Sequence, residues 1–392
     1  MNPSFLANIR AVSPVLISVA ILSSCSGGRD GNALKSVPAV YEISVNPYKM
    51  SDVSLFDYFD SARLVPLDTV KEAFFVGDMN FNHYVASPDD FFVLDSNMGR
   101  ILDFGWSGKL KGAYARRGKG PGEFVDVCDM LLNWYTHQLE LLTPQGYILR
   151  YNVDDSLSYR ESIRIGMPSA VSNFAVLSKG VYVLYSSVSD PNLFLYREEG
   201  EQLIPIDYHL PKWFALSAYT ASTSPFFYFG KEVRYYEKFD GSVYKLDTLQ
   251  RALIPYLRLR TGRYQFDKNA LPPDKDADYY VRQLHRFSDR YASPFYDMSE
   301  TERHFFSHFR LRNQLFTIVV DKRDSTCDVF TQTRENMLLG TASFVPGERL
   351  LDFFSPAEKE AINGHIFGRE DAAAFEALSV DSNWNLILYH LR

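Results

Sequence analysis

The stretch from Phe91 to Phe124, FFVLDSNMGRILDFGWSGKLKGAYARRGKGPGEF, constrains the fold of this chain more than any other part of it. Phe91 to Leu94 and Arg100 to Phe104 are short apolar runs separated by Asp95-Ser96-Asn97-Met98-Gly99, whose Asp, Asn and Gly suit a hairpin turn. Trp106-Ser107-Gly108-Lys109 turns the chain again, and a Gly-Pro-Gly connector follows. The order strand, turn, strand, turn, strand, connector is that of one propeller blade and the step into the next.

The pattern recurs. An apolar residue, two others, then an aromatic or apolar residue stands at Ile101/Phe104, Ile148/Tyr151, Leu193/Tyr196 and Val243/Leu246. The offsets are about 47, 45 and 50 residues, the length of a four-stranded blade. Each copy is preceded by a second strand-like run: Phe91 to Leu94, Leu139 to Leu142, Val181 to Tyr185 and Lys231 to Tyr236. Unrelated hairpins in a β-sandwich are the competing architecture. The 30 Phe, 25 Tyr and 4 Trp fit the same reading, because rings on many short strands fill the space between stacked sheets.

The motif Asp95, Arg100-Ile101, Phe104, Gly108-Lys109 and Gly118-Lys119-Gly120-Pro121-Gly122-Glu123-Phe124 resembles the NHL-type propeller repeat. More closely, the chain resembles the six-bladed β-propeller lipoproteins of Bacteroidetes. Ala62 to Thr69, Gly241 to Leu246 and the closing run Asn385 to Arg392 also fit that family. The resemblance spans nearly the whole mature chain, and it implies fold and location far more than activity.

The expected fold is therefore all-β: a six-bladed propeller of four-stranded antiparallel blades. An opening strand is expected near Tyr41 to Val45, and Arg63 to Leu67 should complete the last blade by pairing with the closing strand. Blades one to four are expected over Gly77 to Arg117, Phe124 to Ile165, Ser169 to His209 and Ala221 to Arg260. The regular spacing then breaks. Asp274 to Ser288 has helical spacing, with Tyr280, Leu284 and Phe287 on one side, and Thr301 to Phe309 suggests further helical turns. Both read as an insertion in blade five, whose strands resume at Leu315 to Asp321 and Asp328 to Thr333. Blade six follows from about Thr341, with a short helix over Arg369 to Leu378.

The N-terminus carries the second strong signal. After Arg10, the run Ala11 to Ser24 is apolar apart from small polar residues, too short to span a bilayer, and it ends in Leu22-Ser23-Ser24-Cys25. That tetrapeptide matches the bacterial lipobox, so residues 1–24 read as a lipoprotein signal peptide and Cys25 as the lipidated first residue. A plain signal peptide with an incidental cysteine is the alternative. Lipid chains on Cys25 would hold the protein to a membrane without a transmembrane helix. Residues 25–40 then form a flexible tether, and 41–392 the propeller. Ser26 after the cysteine favours the outer membrane, and the lack of an acidic run in the tether favours its periplasmic face. Cys128 and Cys327 are expected in different blades, as buried small hydrophobes rather than a disulfide.

A net charge of −7 argues against a nucleic-acid footprint, which would need a basic face. No Gly-x-Ser-x-Gly, His-Glu-x-x-His, phosphate loop or Cys-x-x-Cys occurs. His304 and His308 have the i, i+4 spacing that would put two imidazoles on one helix face for zinc, although a solvated face is the plainer reading. The Gly118 to Glu123 loop reads as a tight connector, with Phe124 opening the next inner strand. Arg117 and Glu123 either flank the central channel or pair with each other. Propellers bind ligands at the channel mouth, which nominates Asp78 and Asn80 from blade one, Asp126 and Asp129 from blade two, and Asn173 from blade three. Acidic groups converging there would suit calcium. The leading functional expectation is a membrane-anchored binding or scaffold module for a glycan, peptide or envelope protein. A calcium- or zinc-dependent hydrolase or lyase at the channel mouth is the alternative, and an assembly factor or sensor in a membrane complex the third.

Overall fold

A computed structural model describes residues 40–75, 84–166, 171–186, 192–210, 224–237, 241–247, 252–266, 279, 282–283, 289–339, 343–345 and 349–392. Cys25, Asp78 and Asn80 lie outside these residues, as does nearly all of the expected helical segment Asp274 to Ser288.

The fold is all-β, a propeller-like arrangement of small antiparallel sheets. Two strands come first, β1 (Tyr41–Ser44) and β2 (Phe59–Pro66). The opening motif then forms the meander β3 (Tyr84–Ala86), β4 (Asp90–Asp95), β5 (Arg100–Gly105) and β6 (Leu110–Ala115). Phe91 pairs with Phe104 and Leu94 with Ile101, while Gly99 and Gly108 take positive φ in the two turns. Gly108 has no substitute, because a Cβ there would lie 2.1 Å from the Pro66 carbonyl oxygen.

The second meander is β7 (Asp129–Asn133), β8 (Gln138–Leu142), β9 (Tyr147–Asn152) and β10 (Tyr159–Ile165). The third is β11 (Asn173–Ser178), β12 (Val181–Tyr185), β13 (Leu193–Glu199) and β14 (Gln202–Leu210). These two share one eight-stranded sheet, joined only where Arg164 and Ile165 of β10 pair in parallel with Gln202 and Leu203 of β14. The fourth is β15 (Phe226–Phe229), β16 (Glu232–Glu237), β17 (Ser242–Asp247) and β18 (Ala252–Arg260). The fifth is β19 (Tyr296–Glu300), β20 (His304–Leu311), β21 (Gln314–Asp321) and β22 (Thr326–Phe330). The last sheet comprises β23 (Ser343–Val345), β24 (Arg349–Phe354), β25 (Asn385–Leu391) and, on its outer side, β2. A helix, α1 (Arg369–Ala377), lies between β24 and β25, close to the expected span.

Each sheet stacks on the next through apolar side chains. Phe92 and Leu94 meet Leu139 and Tyr151, and Leu142 and Ile148 meet Phe174 and Tyr182. Ala175 and Val183 meet Val233 and Tyr235, and Val243 and Leu257 meet Phe309 and Ile318. Phe306 and Val319 meet Leu350 and Ile387, and Leu351 and Leu388 return to Phe91 and Leu102. The circuit is therefore closed by packing. It is also closed by hydrogen bonding, since β2 pairs antiparallel with β25 from Phe59–Leu391 to Pro66–Asn385.

Two expectations need correction. Thr301 to Phe309 is not helical: β20 pairs residue for residue with β21, and its run of buried residues belongs to a strand covered on both faces. Phe124 does not open the inner strand, which starts at Asp129; it bridges to Arg117, and its ring fills the gap between the first and second meanders. The expected opening strand is β1, which adds in parallel to the outer strand β18. The chain after β1 then straps the fifth sheet. Ser51 N–H bonds the Val329 carbonyl at 2.8 Å, Arg334 reaches Asp52 at 3.1 Å and the Tyr58 hydroxyl donates to Asp328 at 2.7 Å. Cys128 and Cys327 are free thiols, each half-buried where full burial was expected.

Candidate functional site

The inner strands β3, β7, β11, β15, β19 and β23 follow one another around the axis, each packed against the next from β3 to β23. Asp129 opens β7 and Asn173 opens β11, and the structure brings them together. Asp129 Oδ2 accepts from the Phe174 N–H at 3.0 Å and from the Asn173 side-chain amide at 3.3 Å, while Oδ1 accepts from Met130 N–H at 3.0 Å. A buried carboxylate thus stitches the second meander to the third through a backbone N–H that would otherwise lack an acceptor. Tyr228 repeats the device one joint further on, its hydroxyl accepting from Val176 N–H at 3.2 Å.

The other described candidates, Asp126, Arg117 and Glu123, do not join them. Asp126 is exposed and accepts from Val127 N–H at 2.9 Å. Arg117 and Glu123 are both exposed and do not bond each other: Arg117 donates to the Asn97 carbonyl at 3.0 Å, and Glu123 accepts from Gly120 N–H at 2.9 Å. The connector is held from beneath, because the Tyr151 hydroxyl donates to the Gly122 carbonyl at 2.9 Å and the Tyr159 ring covers Gly122. Gly122 takes φ +71°, so this glycine serves the turn. His304 and His308 sit on a strand and are buried, and burial lowers both imidazoles to about 4. His308 Nε2 is bonded to the Leu339 carbonyl at 2.7 Å. Among the described residues no group of three or more His, Cys, Asp or Glu is placed to hold a metal ion.

Three features escaped the sequence reading. Arg150 on β9 is buried with Glu140 on β8 at 2.9 Å, Glu198 on β13 at 2.6 Å and Glu161 on β10 at 3.1 Å. The Tyr182 hydroxyl donates to Glu140 Oε1 at 3.0 Å, yet Glu140 Oε2 has no partner, and burial pushes this carboxyl upward against the pull of Arg150. Between the fourth and fifth meanders, Arg234 bonds Glu300 at 3.1 Å, and Lys322 and Tyr256 complete the Glu300 shell at 3.0 and 2.8 Å. The signal for both was a lone charge inside an apolar strand, as in QLELL and EVRYYE.

The third feature is Asp297 on β19. It sits where the register with β20 slips between Tyr296 and Ser299, with φ +50°. Its Oδ2 is buried without a partner, and burial raises the carboxyl to about 6. An irregular inner strand carrying an unpartnered, neutralisable acid is the arrangement functional sites favour.

Stacked antiparallel sheets packed around an axis define the class: a propeller-like β protein. The family follows from comparison. The model for a domain of unknown function, DUF4934, matches residues 40–387, and the chain belongs to that family. A Bacteroides fragilis protein described as a candidate exported protein shares 16% identity at TM-score 0.66, over 90% of this chain and 99% of its own. A DUF4221 family member from Bacteroides vulgatus shares 9% identity at TM-score 0.53, over 85% and 97%. Both likenesses concern the fold. No curated protein matches the sequence.

Proposed function

We propose that this protein is a six-bladed propeller anchored in the cell envelope and acting as a binding or scaffold module for a glycan, peptide or protein partner. The six-blade count treats the eight-stranded sheet as two blades touching at their outer strands, in keeping with the two residue pairs that join them and the six apolar seams. The observation that carries the functional reading is the use made of Asp129 and Asn173. The polar groups these two bring to the channel side of the inner strands are spent on joining blades, which leaves the faces and rim of the ring to meet a partner.

The envelope assignment draws on the Leu22-Ser23-Ser24-Cys25 lipobox and on the exported description of the B. fragilis protein of similar fold. Among the described residues no helix is long and apolar enough to cross a membrane, so attachment would fall to the lipid on Cys25. The outer membrane, periplasmic side, is the proposed location. Fractionation of cells expressing the full chain tests the anchor. Wild type should sediment with membranes and Cys25→Ala should be released; sedimentation of both would overturn it. Cross-linking in intact cells followed by capture from solubilised membranes tests the module, and a chain recovered alone would count against it.

A further inference from the structure

After β1 and after β18, two loops meet on one side of the fourth and fifth sheets. The first, held by Tyr48 N–H on Asn46 Oδ1 at 3.0 Å, presents Tyr48 with 56% of its surface in solvent. Its ring lies 5.3 Å from that of Tyr264, and the Arg263 guanidinium covers Tyr264 at 4.8 Å. Beside them, Ala292 N–H bonds the Tyr264 carbonyl at 2.8 Å, and Arg290 covers Tyr291 at 5.2 Å. The Phe266 ring meets Tyr291 edge-on at 6.0 Å.

Both arginines are exposed, and neither has a carboxylate partner among the described residues. Arg263 Nε donates to the Tyr264 hydroxyl at 2.7 Å, and in a chain of net charge −7 two guanidiniums beside tyrosines with no carboxylate among the described residues are a local exception rather than part of a basic face. Next to Tyr264 and Tyr291 along the chain, Thr261, Gln265, Phe266, Ala292 and Ser293 border a narrow cleft with room for a water- or hydroxyl-sized group. Gln265 Oε1 accepts from the Thr261 N–H at 3.0 Å and hydroxyl at 3.2 Å, an arrangement that fixes the amide orientation and leaves Nε2 as a donor with no partner among the described residues.

The geometry points to a binding site for an acidic oligosaccharide, built from Tyr48, Arg263, Gln265 and Arg290. A pyranose offers an apolar C–H face to an open aromatic ring, a hydroxyl to a single cleft donor, and a carboxylate or sulfate to a guanidinium fork. A peptide partner would call for a pocket that swallows an apolar anchor, and the cleft is too small for one. The net charge disfavours nucleic acid.

This inference rests on the binding-module reading and names its ligand class. The full-length protein is titrated calorimetrically with a tetragalacturonate, a heparin tetrasaccharide, maltotetraose and a pentaglutamate peptide. At least one acidic sugar should bind and weaken with added salt. Tyr48→Ala and Arg263→Ala should each weaken it by on the order of tenfold with melting temperature unchanged. Failure of both acidic sugars at millimolar concentration would overturn the site, as would variants that bind like wild type. Equal binding of maltotetraose would remove the acidic requirement and with it the proposal. Pentaglutamate binding as tightly as the sugars would replace it with a protein partner. If the sugars fail while a partner is still captured from membranes, only the ligand class falls.

Discussion

Asp129 and Asp297 occupy comparable places, each on an inner strand near the axis, and have opposite surroundings. Asp129 stands on a regular strand, and its two oxygens accept from Met130, Asn173 and Phe174 across the joint between two meanders. Asp297 stands on a strand whose register slips, in a left-handed backbone conformation, with one oxygen buried and bare. The difference shows that position in a repeat does not assign a role to a carboxylate. What assigns it is whether the local backbone aims the neighbour's N–H groups at it.

The largest expected effect comes from removing the satisfied acid. Asp129→Ala strands the Phe174 N–H at a closed joint, and urea unfolding should show a loss of about 3 kcal/mol. A loss below about 1 kcal/mol would mean that water replaces the carboxylate and that the joint is open.

Removing the unsatisfied acid should act in the opposite direction. Burial holds the Asp297 carboxyl at about 6, above the 3.8 of an unperturbed aspartate. The folded state therefore binds more protons than the unfolded chain between those values, and stability falls as pH rises through about 4 to 6. Asp297→Asn keeps the shape and tolerates the left-handed backbone. It should flatten that slope and raise stability above pH 6 by up to ~3 kcal/mol. Asp103, also raised to about 6 by burial and by Asp90, adds a slope of the same sign, so part of the pH dependence should remain. A variant less stable than wild type at pH 8 would show that the Asp297 carboxylate has a partner in solution, a cation being the first to test.

The stitch can be examined separately at the next joint. Tyr228→Phe deletes the hydroxyl that accepts from Val176 N–H and little else, so its cost should be about 1 kcal/mol by the same urea assay. No change would confine the stitching to charged acceptors and make Asp129 a special case.

The same contrast explains what could be read in advance. Strands repeat a period-2 pattern and hairpins need particular turn residues, so Phe91 to Tyr114 and its later copies were legible from residue types alone. The closing pair β2 and β25 was legible for the same reason. His304 to Leu311 misled because a strand buried on both faces loses its alternation and matches helical spacing equally well. The strap over the fifth sheet depends on contacts between residues 270 or more positions apart, such as Tyr58 with Asp328, which no local pattern encodes. At the inner strands, Asp129 and Asn173 were found because they begin runs after a turn, but their use as a stitch depends on a neighbouring strand. Asp297 was missed because a register slip leaves no mark on residue type.

Glu123 gives the smallest expected effect. Its position in the distinctive Gly118 to Phe124 connector invites a functional role, but its carboxylate is exposed and accepts from Gly120 N–H within its own turn. A glutamine offers the same oxygen to the same donor. Glu123→Gln should therefore shift stability by no more than about 0.5 kcal/mol. The connector would keep its shape through Gly122, whose φ of +71° and close approach to the Tyr159 ring no other residue reproduces. A larger loss in Glu123→Gln would show that the negative charge itself matters, and would place Glu123 with Asp129 among the acids that hold meanders together.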